Sequence, residues 1–371
     1  MSSEQSGAQP LLHTPLFSLH ESLGAKMVGF AGWAMPVQYP DGIMAEHRAC
    51  RTSAALFDVS HMGQVIVRGA DAAEKFEGLV PGGLTTLKPG HARYTQLTTA
   101  EGGIYDDLIV TNSGEYLIVV VNASIKDQDI GLMRDGLDGC GIEVIEDRAL
   151  VALQGPKAEI VLDAIIPRVA DLRFMQSAEM DWNGQVLRVS RLGYTGEDGY
   201  EISVPSAVAE DFSRKLLDDS RVAPAGLGAR DTLRMEAGLP LYGNDIDQST
   251  SPIEAGLGFS IPKRRRENRG FPGADRIVSE ATGGPVRKLV GLLPDGRAPA
   301  RAGVDVASED GAIIGSITSG GFSPTLEKPI SLGYVAASHA DPGQKVNLML
   351  RGKPVPATVS ALPFVAQNYK R

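Results

Sequence analysis

The sequence has 371 residues, of which 43% are hydrophobic and 22% charged, values typical of a globular protein and not of a disordered chain or a fibre. Its 36 basic and 45 acidic residues give a formal net charge of -9, which argues against binding to nucleic acid or anionic membranes over the whole surface. A chain of this length is expected to form two or three domains.

The two cysteines, Cys50 and Cys140, are too few for a disulfide scaffold and lack the spacing of a zinc site, so a reducing compartment is expected. The first ten residues, MSSEQSGAQP, are polar and lack the apolar segment of a secretory signal, which predicts a loose tail. No apolar run approaches the length of a membrane span. We therefore predict a cytoplasmic protein with no membrane segment and no metal site.

Apolar stretches separated by Gly, Asn, Asp and Pro predict an α+β fold of mostly antiparallel sheets with flanking helices. The predicted strands include Gln64–Val67, Leu117–Val121, Val186–Val189 and Val346–Leu350. Helical spacing of apolar residues predicts helices over Ala72–Leu79, Ile125–Leu137, Lys157–Ile166, Ala207–Leu217 and Ala229–Ala237. Strict alternation of strands and helices is absent, so a doubly wound fold is not expected.

The sequence changes character at Gly284. From there it is rich in Gly, Pro and Val, with short strands such as Ile313–Thr318 and Lys353–Ser360 and no convincing helix, which predicts a separate all-β domain. The preceding stretch, Pro262–Gly273, is basic and rich in turn residues. We expect it to be a surface connection between the two parts.

Common catalytic signatures are absent. The sequence contains no phosphate-binding loop, zinc-protease motif, nucleophile elbow or dinucleotide-binding fingerprint, which disfavours ATP hydrolysis, zinc proteolysis and nucleotide redox chemistry. The six histidines are scattered, and only His61, in DVSHMG, is flanked by suggestive residues. We interpret His61 as a structural or locally hydrogen-bonding group rather than a metal ligand.

Two adjacent carboxylates, Asp106 and Asp107, follow a glycine turn and enter an apolar strand in GGIYDDLIVTN. A carboxylate buried there without partners would be costly. Because side chains alternate along a strand, the two should point to opposite faces, so at most one of them faces a given cavity. They are either ordinary turn and strand-entry residues, or one serves the turn while the other does chemistry.

Glu201 lies in LGYTGEDGYEISVP, which predicts a hairpin with GEDG as its turn. In the strand that follows, Tyr200, Ile202 and Val204 share one face, and Glu201 shares the other with Ser203. A carboxylate on that face could accept paired N–H donors from a heterocycle such as a pterin. It could equally be a solvated strand residue.

Arg230 and Arg234 lie four residues apart in GARDTLRMEAG, on one face of a predicted helix. Two like charges at this spacing destabilise a helix unless Glu236, other nearby acids or an anionic ligand offset them. The segment is therefore either a salt-bridged surface helix or a clamp for a ligand carboxylate, since a guanidinium offers two parallel donors.

Lys263–Arg266 reads KRRR, a basic cluster in an acidic protein. Charge runs are usually solvated faces, and nucleic-acid binding is disfavoured because no aromatic residues are interleaved. The alternative is a docking patch for an acidic protein partner, which would act mainly on the rate of encounter.

The order of the motifs is more specific than any one of them. The chain resembles glycine-cleavage T-proteins from about Thr14 to Tyr369, in the segments TPLFSLHESLGAKMVGFAGWAMPVQY, FDVSHM, GGIYDDLIVTN, LQGP, GYTGEDGYEISVP, GARDTLRMEAGLPLYGNDID, KRRR and PFVAQNY. The resemblance implies a three-domain cloverleaf around a tetrahydrofolate channel. Residues 11–55 and 148–283 would form a discontinuous folate-binding domain, 56–147 an α+β domain, and 284–371 a C-terminal β-barrel or jelly-roll-like domain.

The same resemblance implies an aminomethyltransferase of the glycine cleavage system. Such an enzyme takes the aminomethyl group from the dihydrolipoyl arm of the H-protein and transfers the carbon to tetrahydrofolate, giving ammonia and 5,10-methylenetetrahydrofolate. Asp107 is the implied catalytic carboxylate, which would hydrogen-bond a folate amine nitrogen. The implied substrate-binding residues are Glu201, Arg230, Tyr369, Tyr94, Met62, Asp106 and Tyr194.

Because the carrier of this family is typically acidic, the resemblance favours docking for Lys263, Arg264, Arg265 and Arg266, with the other glycine cleavage components as indirect partners. Related folate proteins of iron–sulfur assembly carry a K-G-C-x-x-G-Q-E motif, whereas the comparable stretch here contains no cysteine. A tetrahydrofolate-dependent demethylase or methyltransferase, or a non-catalytic folate-binding module, remains the alternative.

Overall fold

The computed structural model describes residues 10–371, so nearly all of the predicted polar tail lies outside the described residues. The strands are, in chain order, β1 (Leu12–His13), β2 (Lys26–Phe30), β3 (Trp33–Gln38), β4 (Ala54–Asp58), β5 (Gly63–Arg68), β6 (His91–Thr98), β7 (Ile104–Asn112), β8 (Leu117–Val121), β9 (Gly141–Ile145), β10 (Arg148–Gln154), β11 (Ser177–Trp182), β12 (Gln185–Ser190), β13 (Gly199–Pro205), β14 (Val222–Ala225), β15 (Arg287–Pro294), β16 (Asp305–Ala307), β17 (Ile313–Ser323), β18 (Lys328–Ala336), β19 (Lys345–Leu350) and β20 (Lys353–Ser360).

The helices confirm all five helical predictions, with ends that differ by a few residues. They are α1 (Phe17–Ser22), α2 (Ile43–Thr52), α3 (Ala72–Phe76), α4 (Lys126–Gly136), α5 (Ala158–Asp163), α6 (Ser206–Leu217), α7 (Leu227–Glu236), α8 (Lys263–Asn268) and α9 (Ala274–Gly283). No helix within residues 10–371 is long and apolar enough to cross a membrane.

A six-stranded sheet joins β4 to strands from much later in the chain, in the order β11-β12-β13-β10-β4-β14. One face packs against α1, α5 and α6, in a core that includes Leu153, Ile202 and Phe212. The other face packs against α2 and α7 through Phe57 and Leu233. Beside these strands, β1, β3 and β2 form a small three-stranded sheet.

The predicted hairpin after residue 185 is present, because β12 and β13 pair antiparallel. Its connection is longer than the predicted GEDG turn and runs from Arg191 to Asp198. Tyr200, Ile202 and Val204 all belong to the core on the α6 side, as their alternation predicts. Glu201 therefore lies on the opposite face of β13.

A five-stranded antiparallel sheet follows the order β6-β7-β8-β5-β9. Helices α3 and α4 cover one face, and Phe76 and Met133 pack there against Val65 and Leu108. The other face is turned toward the six-stranded sheet, where Val120 packs, and it carries Asp107 and Ile109 of β7. This sheet positions Asp107.

The last part of the chain forms a closed barrel in the order β15-β18-β17-β16-β19-β20, with Leu292, Val306 and Leu348 in its core. Within this part of the described chain the helical content is one 3-10 turn, Ala337–His339. The α+β fold of mostly antiparallel sheets with a C-terminal barrel is thus confirmed. Beyond the barrel, residues 361–371 run back to the six-stranded sheet, where Asn368 N–H donates to the carbonyl of Gly196 between β12 and β13.

The stretch Pro262–Gly273 is only in part the surface connection that its composition predicts, because Lys263 and residues 266–270 are exposed but Arg265 and Phe271 are buried. It begins with α8, and Ile261 and Phe271 on either side pack with Ala274 and Ile277 of α9 in a small core of their own. This core is not evident from the sequence, because the charges of the arginines indicate a segment that is exposed along its whole length.

The grouping of strands supports the predicted division into domains, which we propose with one adjustment. Strand β4 pairs with β10 as far as Asp58, so the first boundary falls after Asp58 rather than at residue 55. Strands β5 to β9 then form the second domain, and the barrel from residue 284 forms the third.

Candidate active site

A cavity of about 1700 Å³ lies where the six-stranded sheet, the five-stranded sheet and the barrel meet. Seven of the eight side chains predicted to act on substrate line it: Met62, Tyr94, Asp107, Tyr194, Glu201, Arg230 and Tyr369. They come from widely separated parts of the chain, so only the fold brings them together. Their individual roles stay predictions.

Asp107 points into the cavity from β7 and has two hydrogen-bond donors. The Tyr94 hydroxyl donates to Oδ2 at 3.0 Å, and the Asn122 side-chain amide donates to Oδ1 at 2.8 Å. Burial, followed by the negative charge of Asp106, raises the pKa of Asp107 to about 7. A carboxyl with such a pKa can both accept and return a proton near neutral pH.

Asp106 does not line the cavity, and its predicted role in substrate binding is wrong. Alternation along β7 turns it to the face covered by α4, where it is fully buried. There it accepts hydrogen bonds from the Asn122 backbone N–H at 3.1 Å and from the Asn122 side-chain amide at 2.8 Å. Asn122 thus bonds both neighbouring carboxylates.

Glu201 and Arg230 face the same cavity from β13 and α7. Burial raises the pKa of Glu201, and the positive charge of Arg230 opposes this rise. Burial also lowers the pKa of Arg230, and its Nη1 atom has no hydrogen-bond partner in the described part of the chain. The guanidinium lies over the Tyr194 ring, whose hydroxyl donates to the Pro240 carbonyl. A ligand with both acceptor and donor groups would satisfy these two side chains.

Arg234 is not part of a double arginine clamp. It donates to Asp231 at 2.9 Å and to Asp245 at 2.5 Å, and a further bond at 2.8 Å reaches Ser319. The alternative prediction of a surface helix is also wrong, since α7 is buried between the sheet and the barrel. Glu236 plays no part in offsetting these arginines, because it binds His47 and Arg51.

Aromatic side chains form much of the remaining wall. Tyr369 stacks on Phe174 with ring centroids 4.2 Å apart, and Tyr94 lies parallel to Phe259 at 6.1 Å. Phe259 is 76% exposed although it lines the cavity, so it lies at the rim. Sequence reasoning missed Phe174, Phe259 and Asn122. The one signal for Asn122 is its place directly after the apolar strand β8.

His61 is buried beside Met62 at the cavity wall, and its ring meets Phe30 edge-on. Burial lowers the pKa of His61 to about 4, so the ring is neutral near pH 7. Among residues 10–371 no cluster of three or more His, Cys, Asp or Glu side chains is arranged to hold a metal ion. The ring Nδ1 of His61 has no hydrogen-bond partner in the described part of the chain, and its structural role stays a prediction.

The KRRR cluster is not uniformly a surface patch. Arg265 is 4% exposed; it forms an ion pair with Glu77 at 3.3 Å and donates to the carbonyls of Val80 and Gly270. Its predicted docking role is therefore wrong. Arg264 also pairs with Glu77, at 2.5 Å. Lys263 and Arg266 remain on the surface.

Two family models match the sequence. One, described as GCVT N-terminal domain, matches residues 16–265, and the other, described as Glycine cleavage T-protein C-terminal barrel domain, matches residues 287–366. The chain belongs to the glycine cleavage T-protein family. The second match coincides with the closed barrel, and the first with the parts of the chain that carry Asp107, Glu201 and Arg230.

Relatives in this family are similar over almost their whole length. The mitochondrial aminomethyltransferase of Homo sapiens is 46% identical, covering 97% of this chain and 91% of its own, and that of Dictyostelium discoideum is 43% identical, covering 99% and 95%. The crystal structure of glycine cleavage system aminomethyltransferase T from Bartonella henselae matches with a TM-score of 0.92 at 42% identity, covering 97% of this chain and 100% of that one. The family, the fold and the aminomethyltransferase class predicted from the motif order are therefore confirmed.

Proposed function

We propose that this T-protein family member takes the aminomethyl group from the dihydrolipoyl arm of an H-protein and transfers the carbon to tetrahydrofolate. The products are ammonia, the free dihydrolipoyl arm and 5,10-methylenetetrahydrofolate. The observation that carries the proposal is one cavity into which Asp107, Glu201 and Arg230 all present ionisable groups, Glu201 buried and the other two half-buried. The other side chains of that wall are mostly apolar or aromatic.

Asp107 is the group that we assign to the chemistry. The aminomethyl thioether is already primed to become an iminium, so the protein has chiefly to hold a folate amine nitrogen in position, exclude water and stabilise positive charge. With its pKa raised to about 7, Asp107 can accept a proton as the nitrogen attacks. Its ionised form would also stabilise the cationic carbon electrostatically.

Glu201 and Arg230 are the groups that we assign to binding. The amino-amide edge of a pterin presents adjacent N–H donors, which match the carboxylate of Glu201 in a paired hydrogen bond. Arg230 retains a buried N–H without a partner in the described structure, which suits a ligand carbonyl or carboxylate. The rings of Tyr194, Phe174 and Tyr369 offer flat apolar surface for the rest of a folate.

We assign docking of the carrier to the exposed residues of the basic cluster, Lys263 and Arg266. Arg264 lies beside them and is half-buried. Lys263 is 89% exposed and its one ion pair, with Glu267, spans 3.7 Å. We further propose that the protein works in the cytoplasm, as its composition predicts, although the relatives named above are mitochondrial. Other glycine cleavage components would be reached indirectly through the carrier.

The test is formation of ammonia and methylenetetrahydrofolate from an aminomethyl-loaded lipoyl carrier and tetrahydrofolate. Asp107→Asn keeps the shape of the side chain and is expected to reduce kcat at least 100-fold while tetrahydrofolate still binds. Asp127→Asn, on the exposed side of α4, is the control and should behave like the unchanged protein.

Two other outcomes would overturn the proposal. Turnover with sulfonium or N-methyl donors but not with the aminomethyl carrier would indicate a demethylase or methyltransferase. Folate binding without ammonia release from any of these donors would indicate a non-catalytic folate-binding module.

A further inference from the structure

A second acidic pair lies behind Asp107, on the side of β7 away from the cavity. Asp106 on β7 and Asp129 in the first turn of α4 are both completely buried, and they lie close enough for the charge of Asp106 to raise the pKa of Asp129. Asn122, which bonds Asp106 and Asp107 at 2.8 Å each, connects this pair to the cavity.

Neither carboxyl oxygen of Asp129 receives a hydrogen bond from an N–H or O–H group in the described structure. This holds even though Asp129 lies in the first turn of a helix, where free backbone N–H groups are available. An ionised carboxylate in such a place would be both desolvated and repelled by Asp106. A protonated carboxyl avoids both costs, because its O–H can donate to Asp106.

We propose that Asp129 is a positioning residue that shares one proton with Asp106, so that the pair places a single negative charge behind Asp107 while Asn122 fixes the orientation of the Asp107 carboxylate. The shared proton is inferred from the burial of both carboxyls and from the lack of any donor to Asp129 in the described structure. Its consequence for catalysis rests on the proposed function. Asp129 itself touches no group in the cavity.

Within residues 10–371 neither carboxyl of the pair is bonded to a cation, because Asp106 accepts from Asn122 and Asp129 accepts from no group. The groups that face it are Asp107 on β7, Tyr94 on β6, Asn122 after β8 and Tyr242 from the loop that follows α7. Lys126, at the start of α4, instead lies over the Trp33 ring, 4.8 Å from its centroid.

The direction of the pKa shifts agrees with this arrangement. Burial and the charge of Asp106 raise the pKa of Asp129 to about 9, while the hydrogen bond from Asp129 opposes the rise that burial causes in Asp106. Because Asp106 accepts two hydrogen bonds from Asn122 and Asp129 accepts none, Asp106 holds the charge and Asp129 holds the proton. The charge on Asp106 in turn raises the pKa of Asp107.

The shared proton is tested without any turnover. In protein labelled with ¹³Cγ-aspartate, one carboxyl resonance is expected to stay at the protonated position at pH 7 and to disappear in Asp129→Asn, but not in Asp127→Asn on the exposed face of the same helix. A spectrum of the wild-type protein in which every aspartate is ionised at pH 7, apart from Asp107, would overturn the proposal.

The positioning role is tested by the pH profile of kcat/KM. Asp129→Leu removes the donor to Asp106, so Asp106 takes up a proton itself and loses its charge. The pKa of Asp107 then falls, and the acid limb, the decline of kcat/KM at low pH, should move to lower pH by about one unit. Asp129→Asn restores a donor and should move the limb back toward the wild-type position. If Asp129→Leu lowers Tm but its profile superimposes on that of the wild type, Asp129 is merely structural and the role is refuted.

The two tests separate this inference from the proposed function. Should the chain release no ammonia from the carrier, the proposed function fails, and the carboxyl resonance still decides whether the proton is shared. Should turnover be normal while no carboxyl is protonated, the inference alone fails.

Discussion

The guanidinium of Arg230 lies over the ring of Tyr194, 4.9 Å from the ring centroid. This stacking orients the arginine without consuming its N–H donors, in contrast to Arg234 one turn later, whose donors are taken by Asp231 and Asp245. Two arginines of the same helix are thus held in different ways, one available for a ligand and the other committed to the fold.

We therefore expect Arg230→Lys to weaken tetrahydrofolate binding and Arg234→Lys to weaken the fold. A lysine keeps the charge but neither stacks flat on Tyr194 nor offers two parallel donors, so the Kd should rise about tenfold, or about 1.4 kcal/mol. Calorimetric titration measures the Kd, and thermal unfolding of both variants provides the comparison. An unchanged Kd in Arg230→Lys would show that Arg230 does not contribute to tetrahydrofolate binding.

The raised pKa of Asp107 predicts an acid limb in kcat/KM near pH 7. Below that pH the carboxyl is protonated and accepts no further proton, so activity should fall about tenfold per pH unit. Because the Tyr94 hydrogen bond lowers the pKa of Asp107, Tyr94→Phe should move the limb to higher pH. A profile that is flat between about pH 5.5 and pH 7.5 would contradict the assignment of Asp107 as a base.

The basic cluster should separate into a structural and a surface part. Arg265→Ala removes one of the two arginines that pair with Glu77 and leaves the carbonyls of Glu77, Val80 and Gly270 without their donor. It is expected to cost about 3 kcal/mol of unfolding free energy, measured by urea denaturation.

By contrast, the double change of Lys263 and Arg266 to Glu should leave stability nearly unchanged. It should raise the apparent KM for an acidic carrier, most strongly at low salt, and leave the KM for tetrahydrofolate unaltered. An unaltered carrier KM would exclude this patch as the docking surface.

The proton on Asp129 predicts how stability depends on pH. Its folded-state pKa, about 9, lies above the unfolded value, so its contribution is fully present below the unfolded pKa and is lost as pH rises through the folded one. Between these two pKa values, the free energy of unfolding of the wild type should fall by up to about 1.4 kcal/mol per pH unit relative to that of Asp129→Asn. Urea titrations of both proteins at pH 5 and pH 8 measure this difference, and parallel stability curves would contradict it.

Much of the site could be predicted because local rules fix it. The alternation of a strand separated Asp106 from Asp107, and the same rule placed Glu201 opposite Tyr200 and Ile202. Successive residues of a helix are rotated by about 100°. The four consecutive basic residues of KRRR therefore cannot all face solvent on a packed helix, and Arg265 is the one that is buried.

The remaining features depend on pairings between distant segments, for which the sequence contains no local signal. The contact of Asp129 with Asp106 requires α4 to cover the back of β7, and the register of β4 with β14 joins residues that are far apart in the chain. The stacking of Phe174 on Tyr369 likewise forms only when residues 361–371 return to the six-stranded sheet.

That returning segment has a consequence for how damage to the protein would be detected. Leu362, Pro363 and Tyr369 contribute to the cavity wall, although the pairing of every sheet and of the barrel is complete without residues 361–371. A change confined to this segment would therefore leave the sheets and the barrel paired and still alter the cavity. An assay of ligand binding would detect such a change, whereas an assay of secondary structure would not.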